Sequence, residues 1–365
     1  MGVTTGRLSR YFGQRFLGTV LGVFGGILLL IVLVDFIEMT RRTDGLEGAS
    51  AYVIAKITLF RAPHITEQIL PFSVLIAAMS CYLGLSRRLE LVVARAAGMS
   101  AWQFIAPAAI AALALGILAT TIYNPVSAIL HDRAKRLEES LFRSGAASYY
   151  EANRSFWVRQ RGENGQSIIH AKSSRSQGIG LSGVAVFTFD NDGRFLERIE
   201  ARNATLIPGQ WRLEDARIFG IGVPPREQAT YLLSTTLTPE QVRESFSTPE
   251  TVPFWQLPAY IETAEQSGLG SAGYRFQYYK LIALPFLLAA MVFLAASVSL
   301  RLFRFGGVQK MVLSGIAAGF LLYVLSKVTE DLSRAGLLYP LVAAWLPVMA
   351  GGLTGFVSLL YQEDG

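Results

Sequence analysis

The sequence predicts a membrane α-helical protein of six transmembrane helices with an inserted all-β, jelly-roll-like domain. Three observations predict it. Charge-free apolar runs fall in two groups of three, at 16–34, 68–86 and 101–130, then at 281–300, 311–326 and 335–361. The stretch 125–274 between the groups is polar and patterned as short strands. The composition is 52% hydrophobic and 16% charged, against about a quarter charged for a soluble domain. The mean hydropathy is +0.38.

A helix needs about 20 apolar residues to cross the hydrocarbon layer. The run 16–34 follows a basic start but is long, and Asp35, Phe36 and Ile37 follow it in place of a small-residue cleavage site. It is therefore expected to be a retained helix. The run 311–326 is short, but Lys310 and Lys327 can snorkel from its ends. Between the second and third spans lies a charged amphipathic stretch, 87–100. The insert opens with a charged helical segment at 131–143, expected to continue the third span outward. Strand signals follow at 155–160, 167–172, 183–189, 195–206, 211–219 and 231–237, with Asp190-Asn191-Asp192-Gly193 and Pro208-Gly209 as turns. This spacing favours an antiparallel sandwich or jelly roll. Helix starts are expected at 238–240 and over 254–267, ending at Gly268. The domain bounds that follow are 1–130 for three helices, 131–274 for the β-domain and 275–365 for the last three helices.

Orientation follows the basic residues of the short loops. Arg7, Arg10, Arg15, Arg87, Arg88, Arg95, Arg301, Arg304 and Lys310 lie on one side, and Arg41, Arg42, Lys56, Arg61, Lys327 and Arg334 on the other. The richer side is expected in the cytoplasm together with both termini, and the insert outside it. The net charge of +6 then reflects topology, not nucleic-acid binding. Cys81 is the only cysteine, so a disulfide within the chain is excluded. His64, His131 and His170 are too scattered in sequence to suggest a metal. No Lys follows a Gly, so a P-loop is excluded, and no cofactor or catalytic set is expected.

On a helical wheel, Leu89, Val92, Val93 and Ala96 form one apolar stripe, expected to face the bundle. Arg87, Glu90, Leu91, Ala94 and Gly98 fall on the opposite face. That face presents one carboxylate among small residues to a cytoplasmic partner, where it can make a charge-assisted contact. The alternative is an ordinary interfacial loop helix. Arg41 and Arg42 flank the outer end of the first span. Paired guanidiniums suit phosphates at headgroup level, unless they are a solvated pair balanced by Glu38, Asp44 and Glu47. Asp35 is expected to snorkel or to pair with Arg41 or Arg42. Gly18 with Gly22, Gly315 with Gly319, and Gly351 with Gly355 permit close helix approach, either within the chain or between subunits. Lys327, Glu330 and Asp331 are read as a solvated cluster or a cavity rim. Val184, Val186, Phe187 and Phe189 are candidates for an apolar interior of the β-domain.

The stretch from Ser86 to Ser100, reading SRRLELVVARAAGMS, resembles the coupling-helix motif of the LptF/LptG family of lipopolysaccharide-transport permeases. Arg10-Tyr11, Leu257, Tyr260-Ile261, Gly268, Tyr274, Lys280 and Pro285 follow the same family's pattern. The stretches Val34-Asp35-Phe36, Arg41-Arg42 and Ala344-Trp345-Leu346-Pro347 are more similar to the LptG branch. The resemblance implies six spans with a periplasmic jelly roll in the inner membrane of a bacterium. It implies that Glu90 contacts an ATPase dimer, LptB, with Arg87, Leu91, Ala94, Arg95 and Gly98 shaping the contact, and that ATP is bound by that partner alone. It also implies that Arg41 and Arg42 meet lipopolysaccharide, and that the first and fifth spans, carrying Gly18, Gly22, Gly315 and Gly319, form a lateral gate. The β-domain residues Val184, Val186, Phe187 and Phe189 would line an acyl-chain conduit. The implied partners are a homologous permease, LptF, the membrane-anchored LptC, and LptA. Three other plans compete. A sensor with a ligand-binding β-domain would need a cytoplasmic output domain. A lipoprotein-releasing permease usually has four spans. An intramembrane hydrolase would need a nucleophile with its base, or paired acids, within the spans, and none is evident.

Overall fold

The computed structural model describes residues 2–45, 49–96, 98–144, 156–162, 165–175, 179–190, 192–220, 222–235, 238, 248–266, 271–303 and 308–363. The helices are α1 (Gly2–Arg42), α2 (Ala51–Arg87), α3 (Glu90–Ala96), α4 (Ala101–Leu118), α5 (Asn124–Ser144), α6 (Leu257–Gln266), α7 (Ala272–Phe303), α8 (Val308–Arg334) and α9 (Pro340–Glu363). Six of the spans they form, Arg10–Arg42, Ala51–Arg87, Ala101–Phe142, Ala272–Ser299, Val312–Arg334 and Pro340–Tyr361, are long and apolar enough to cross a membrane. The chain is a multi-pass helical membrane protein with an inserted β-domain.

Local chemistry sets several boundaries. Ser50 caps α2, its Oγ accepting from the Val53 amide at 3.3 Å. Gln103 Oε1 accepts from the Ser100 amide at 3.3 Å where α4 begins. The segment at 311–326, short as a charge-free run, belongs to a 27-residue helix because Lys327, Glu330 and Arg334 continue it beyond the apolar core. The third span and its charged extension form one rod through α4 and α5, joined by a π-helical turn, Ala119–Tyr123. The sequence reading contained no such turn. Pro125 has no amide hydrogen for the carbonyl four residues before it, Thr121. The Trp255 indole donates to that carbonyl at 3.1 Å.

The main core joins α1, α2, α4 and α7 through Phe12, Phe16, Leu75, Tyr82, Phe104, Ile105 and Leu288, with Leu322 of α8 and Leu359 of α9 at its side. Gly116 of α4 lies where a Cβ would collide with Pro285 of α7, so glycine there sets the closeness of those helices.

The inserted domain is all β. Its strands are β1 (Phe156–Gly162), β2 (Gly165–Arg175), β3 (Gly180–Phe189), β4 (Phe195–Ile207), β5 (Gln210–Gly220) and β6 (Arg226–Ser234). All neighbours pair antiparallel, and the strand order follows the chain. Among the described residues the connectivity is therefore that of a meander, without the crossing connections of the expected jelly roll. β6 starts before the predicted 231–237, and residues 236–237 lie outside the described residues. The helix start expected at 238–240 also lies largely outside them. The second expected helix appears as a 3-10 turn, Phe254–Gln256, followed by α6.

The period-two alternation of β3 corrects one grouping. Val184 and Val186 are buried with Ile169, Leu181, Ile199, Trp211 and Leu213. Phe187 and Phe189 lie on the opposite face, because their positions have the other parity. There the Arg198 guanidinium stands 5.8 Å from the Phe187 ring centre and 6.0 Å from that of Phe219. Phe189 meets Phe195 edge-on. The four residues therefore do not line one interior.

The first and last strands are joined by a buried side chain. Gln160 of β1 donates to the Ser234 carbonyl at 3.3 Å and to Ser167 Oγ at 3.0 Å. Its Oε1 accepts from Thr235 at 2.6 Å and from the Trp211 indole at 3.2 Å. On β6 the Tyr231 hydroxyl donates to Glu197 at 3.0 Å, and burial beside that carboxylate pushes the phenol up to about 12.

Candidate coupling and lipid-contact sites

The short helix α3 is bracketed by two left-handed backbone positions, Leu89 (φ 60°) and Gly98 (φ 80°). A left-handed non-glycine residue is uncommon, and it resets the helix phase after α2. The predicted wheel assumed one continuous helix, so its faces do not hold. Leu91, expected to face a partner, is only 5% exposed and packs in the main core. Leu89 and Val93, expected to face the bundle, are 60% and 67% exposed. Arg87, Arg95 and Gly98 are exposed. The side chain of Ala94 lies outside the described residues.

Glu90 occupies the first position of α3. Its carboxylate accepts from Arg15 Nη1 of α1, at 3.0 Å and 3.3 Å to its two oxygens. Arg15 also donates to the Tyr11 hydroxyl. The pair is partly shielded, with side-chain exposures of 22% and 28%. Sequence reading gave Arg15 only a topological role. Its partner lies 75 positions away, and no local pattern connects them.

At the other end of α1, Arg41 and Arg42 share one carboxylate. Arg41 Nη2 lies 3.0 Å from Glu38 Oε2, and Arg42 Nε lies 2.8 Å from Oε1. Both guanidiniums remain open to other ligands, at 79% and 58% exposed. Asp44 is exposed, and Glu47 lies outside the described residues. Asp35 pairs with neither arginine. It accepts from Arg61 of α2 at 3.3 Å, and the same guanidinium bonds Glu138 of α5.

The cluster of Lys327, Glu330 and Asp331, expected as a solvated cluster or a cavity rim, has a buried centre in Glu330. The Glu330 carboxylate accepts from Lys280 at 3.3 Å, Lys327 at 3.3 Å and Arg334 at 2.7 Å. Arg334 also holds Glu250, in the segment that returns from the sheet. Nearby, Asn124 donates to Glu67 at 2.8 Å and accepts from the Phe254 amide at 3.0 Å. The ring of His64 stacks on that of His131 at 4.0 Å. Sequence separation concealed this pair; His170 is on β2.

The glycine pairs divide. A Cβ on Gly315 would collide with Met79, and one on Gly319 with Leu75, so both serve packing of α8 on α2. Gly18 and Gly22 have no neighbour within 4 Å of a built Cβ. They lie on α1, whose apolar window is 11% buried, the lowest share of the six spans. An apolar cavity of about 410 Å³ lies between α4, α7 and α9, lined by Leu113, Phe286, Phe293, Trp345, Met349 and Phe356.

Comparison with known proteins agrees with this architecture along nearly the whole chain. The family described as lipopolysaccharide export system permease LptF/LptG matches residues 10–361. The lipopolysaccharide export system permease protein LptG of Escherichia coli strain K12 is 23% identical over 353 residues, covering 94% of each chain. The LptG protein of Haemophilus influenzae strain Rd is 22% identical over 349 residues, covering 92% of each. The match includes every span, α3 and the inserted sheet, and the chain belongs to the LptF/LptG family of lipopolysaccharide export system permeases.

Proposed function

We propose that the chain is the LptG-type subunit of an ABC exporter that extracts lipopolysaccharide from the inner membrane and passes it through its periplasmic β-domain. A homologous permease, LptF, completes the membrane cavity. A separate ATPase dimer, LptB, supplies the energy, and LptC and LptA receive the lipid. Both termini and α3 are then cytoplasmic, and the sheet is periplasmic.

One observation carries the reading: a short helix with an accessible carboxylate lies between two spans of a chain that matches the permease family from end to end. The chemistry is consistent with it. Acyl chains leaving a bilayer need an apolar path, and α1 offers a long unpartnered apolar face in Leu21, Leu29, Leu30, Leu33 and Ile37. A charged headgroup needs cations at the membrane surface, and Arg41 and Arg42 supply them.

Gentle affinity purification from the native membrane, with mass spectrometry of the associated molecules, tests the reading. A P-loop ATPase, a second six-span permease and bound lipopolysaccharide are expected. Recovery of the chain without an ATPase, under conditions that preserve other membrane complexes, would contradict it and favour the sensor plan.

A further inference from the structure

We infer that Arg15 is a positioning residue for energy coupling, which aims the Glu90 carboxylate and carries its displacement into α1. The inference rests on the reading of α3 as the ATPase-facing element. It goes beyond that reading by assigning the route by which movement of α3 reaches a membrane span.

The geometry supports a link and not a chance surface contact. One guanidinium nitrogen serves both Glu90 oxygens, at 3.0 Å and 3.3 Å. The remaining lone pairs of the carboxylate are left for a second cation. Arg15 is flanked on α1 by Phe12 and Phe16, which are 4% and 1% exposed, and Glu90 is followed by Leu91 at 5%. All three apolar residues belong to one core cluster. The ion pair thus joins α1 to α3 at the edge of the main core, which both helices enter through these residues. The left-handed residues Leu89 and Gly98 delimit α3 at both ends, so it can move as a unit. α1 is the least buried of the six spans, so most of its length is not enclosed by the other helices.

The test uses the complete exporter, with its partner permease and ATPase, in proteoliposomes loaded with lipopolysaccharide. ATP hydrolysis and lipopolysaccharide delivery are measured together for wild type, Arg15→Gln, Arg15→Lys, Glu90→Gln and the Arg15→Gln/Glu90→Gln pair. Lipopolysaccharide delivered per ATP is expected to fall about threefold in Arg15→Gln, the scale of a half-shielded ion pair. Arg15→Lys should recover part of the loss, and the double variant should be no worse than Glu90→Gln alone. An unchanged ratio in Arg15→Gln would overturn the inference. So would a loss of hydrolysis and delivery in strict proportion to the amount of assembled complex, or single effects that multiply in the double variant. A wild-type exporter whose delivery is independent of ATP would overturn the ATPase reading itself, and this inference with it.

Discussion

Trp255 supplies the hydrogen bond that Pro125 withholds. The proline interrupts the ladder of the third span, and the indole donates to the Thr121 carbonyl from the segment returning from the sheet. Two further bonds close the same junction: Thr120 Oγ1 to the Leu281 carbonyl at 2.8 Å, and the Phe254 amide to Asn124. Replacing Trp255 with Phe keeps most of the ring and removes the donor. A loss of about 0.5–1.5 kcal/mol is expected. Thermal unfolding in detergent checks it, and a variant as stable as wild type would mean that the bond contributes nothing.

Gln160 predicts a larger effect in the β-domain. Four polar partners converge on one buried amide, so Gln160→Leu leaves the Trp211 indole, Thr235 and Ser167 without it. The cost should be about 1–3 kcal/mol. Local unfolding is read from hydrogen exchange of β1 and β6, which should exchange faster than β3 and β4. Uniform protection across the sheet would contradict the role of Gln160 as the fastening between its edges.

Arg61→Met tests the ionic triad on α1, α2 and α5. It removes the guanidinium that Asp35 and Glu138 share, and should cost about 2 kcal/mol, below the range for fully buried pairs because these groups are partly exposed. Adding Asp35→Asn and Glu138→Gln should restore much of that stability. Failure of the neutralised triple variant to recover would show that Arg61 acts through packing and not charge.

Arg41→Ala with Arg42→Ala separates lipid contact from surface solvation. Both side chains are exposed and share Glu38, so a stability change of no more than about 0.5 kcal/mol is expected. Lipopolysaccharide retained by the purified complex should fall by several-fold, because two headgroup-level cations are removed. Unchanged retention would leave the arginines as a solvated pair.

Much of the fold was legible because hydrocarbon thickness and strand pleat impose simple periods. The apolar runs gave six spans, and the alternation around Asp190 and Gly209 gave six strands. The two faces of β3 were missed: Val184, Val186, Phe187 and Phe189 were expected in one interior, and the pleat sends the two phenylalanines to the other face. Other features depended on tertiary register. Nothing near Asp35 in sequence pointed to Arg61, and nothing near Glu90 pointed to Arg15. The phase of α3 was lost at Leu89, whose left-handed backbone carries no residue-type signal as a glycine would. The π-helical turn had one local cue, Pro125, but its remedy came from Trp255 on a distant segment.

Glu90 is the residue through which energy is proposed to enter this permease. The most direct measurement is lipopolysaccharide delivered per ATP hydrolysed by the reconstituted exporter carrying Glu90→Lys. The reversed charge would repel Arg15 and any cation presented by the ATPase. Delivery is expected to fall about tenfold, the effect of losing roughly 1.4 kcal/mol of coupling, while the β-domain and membrane helices remain folded. Wild-type delivery at the wild-type ATP cost would contradict it.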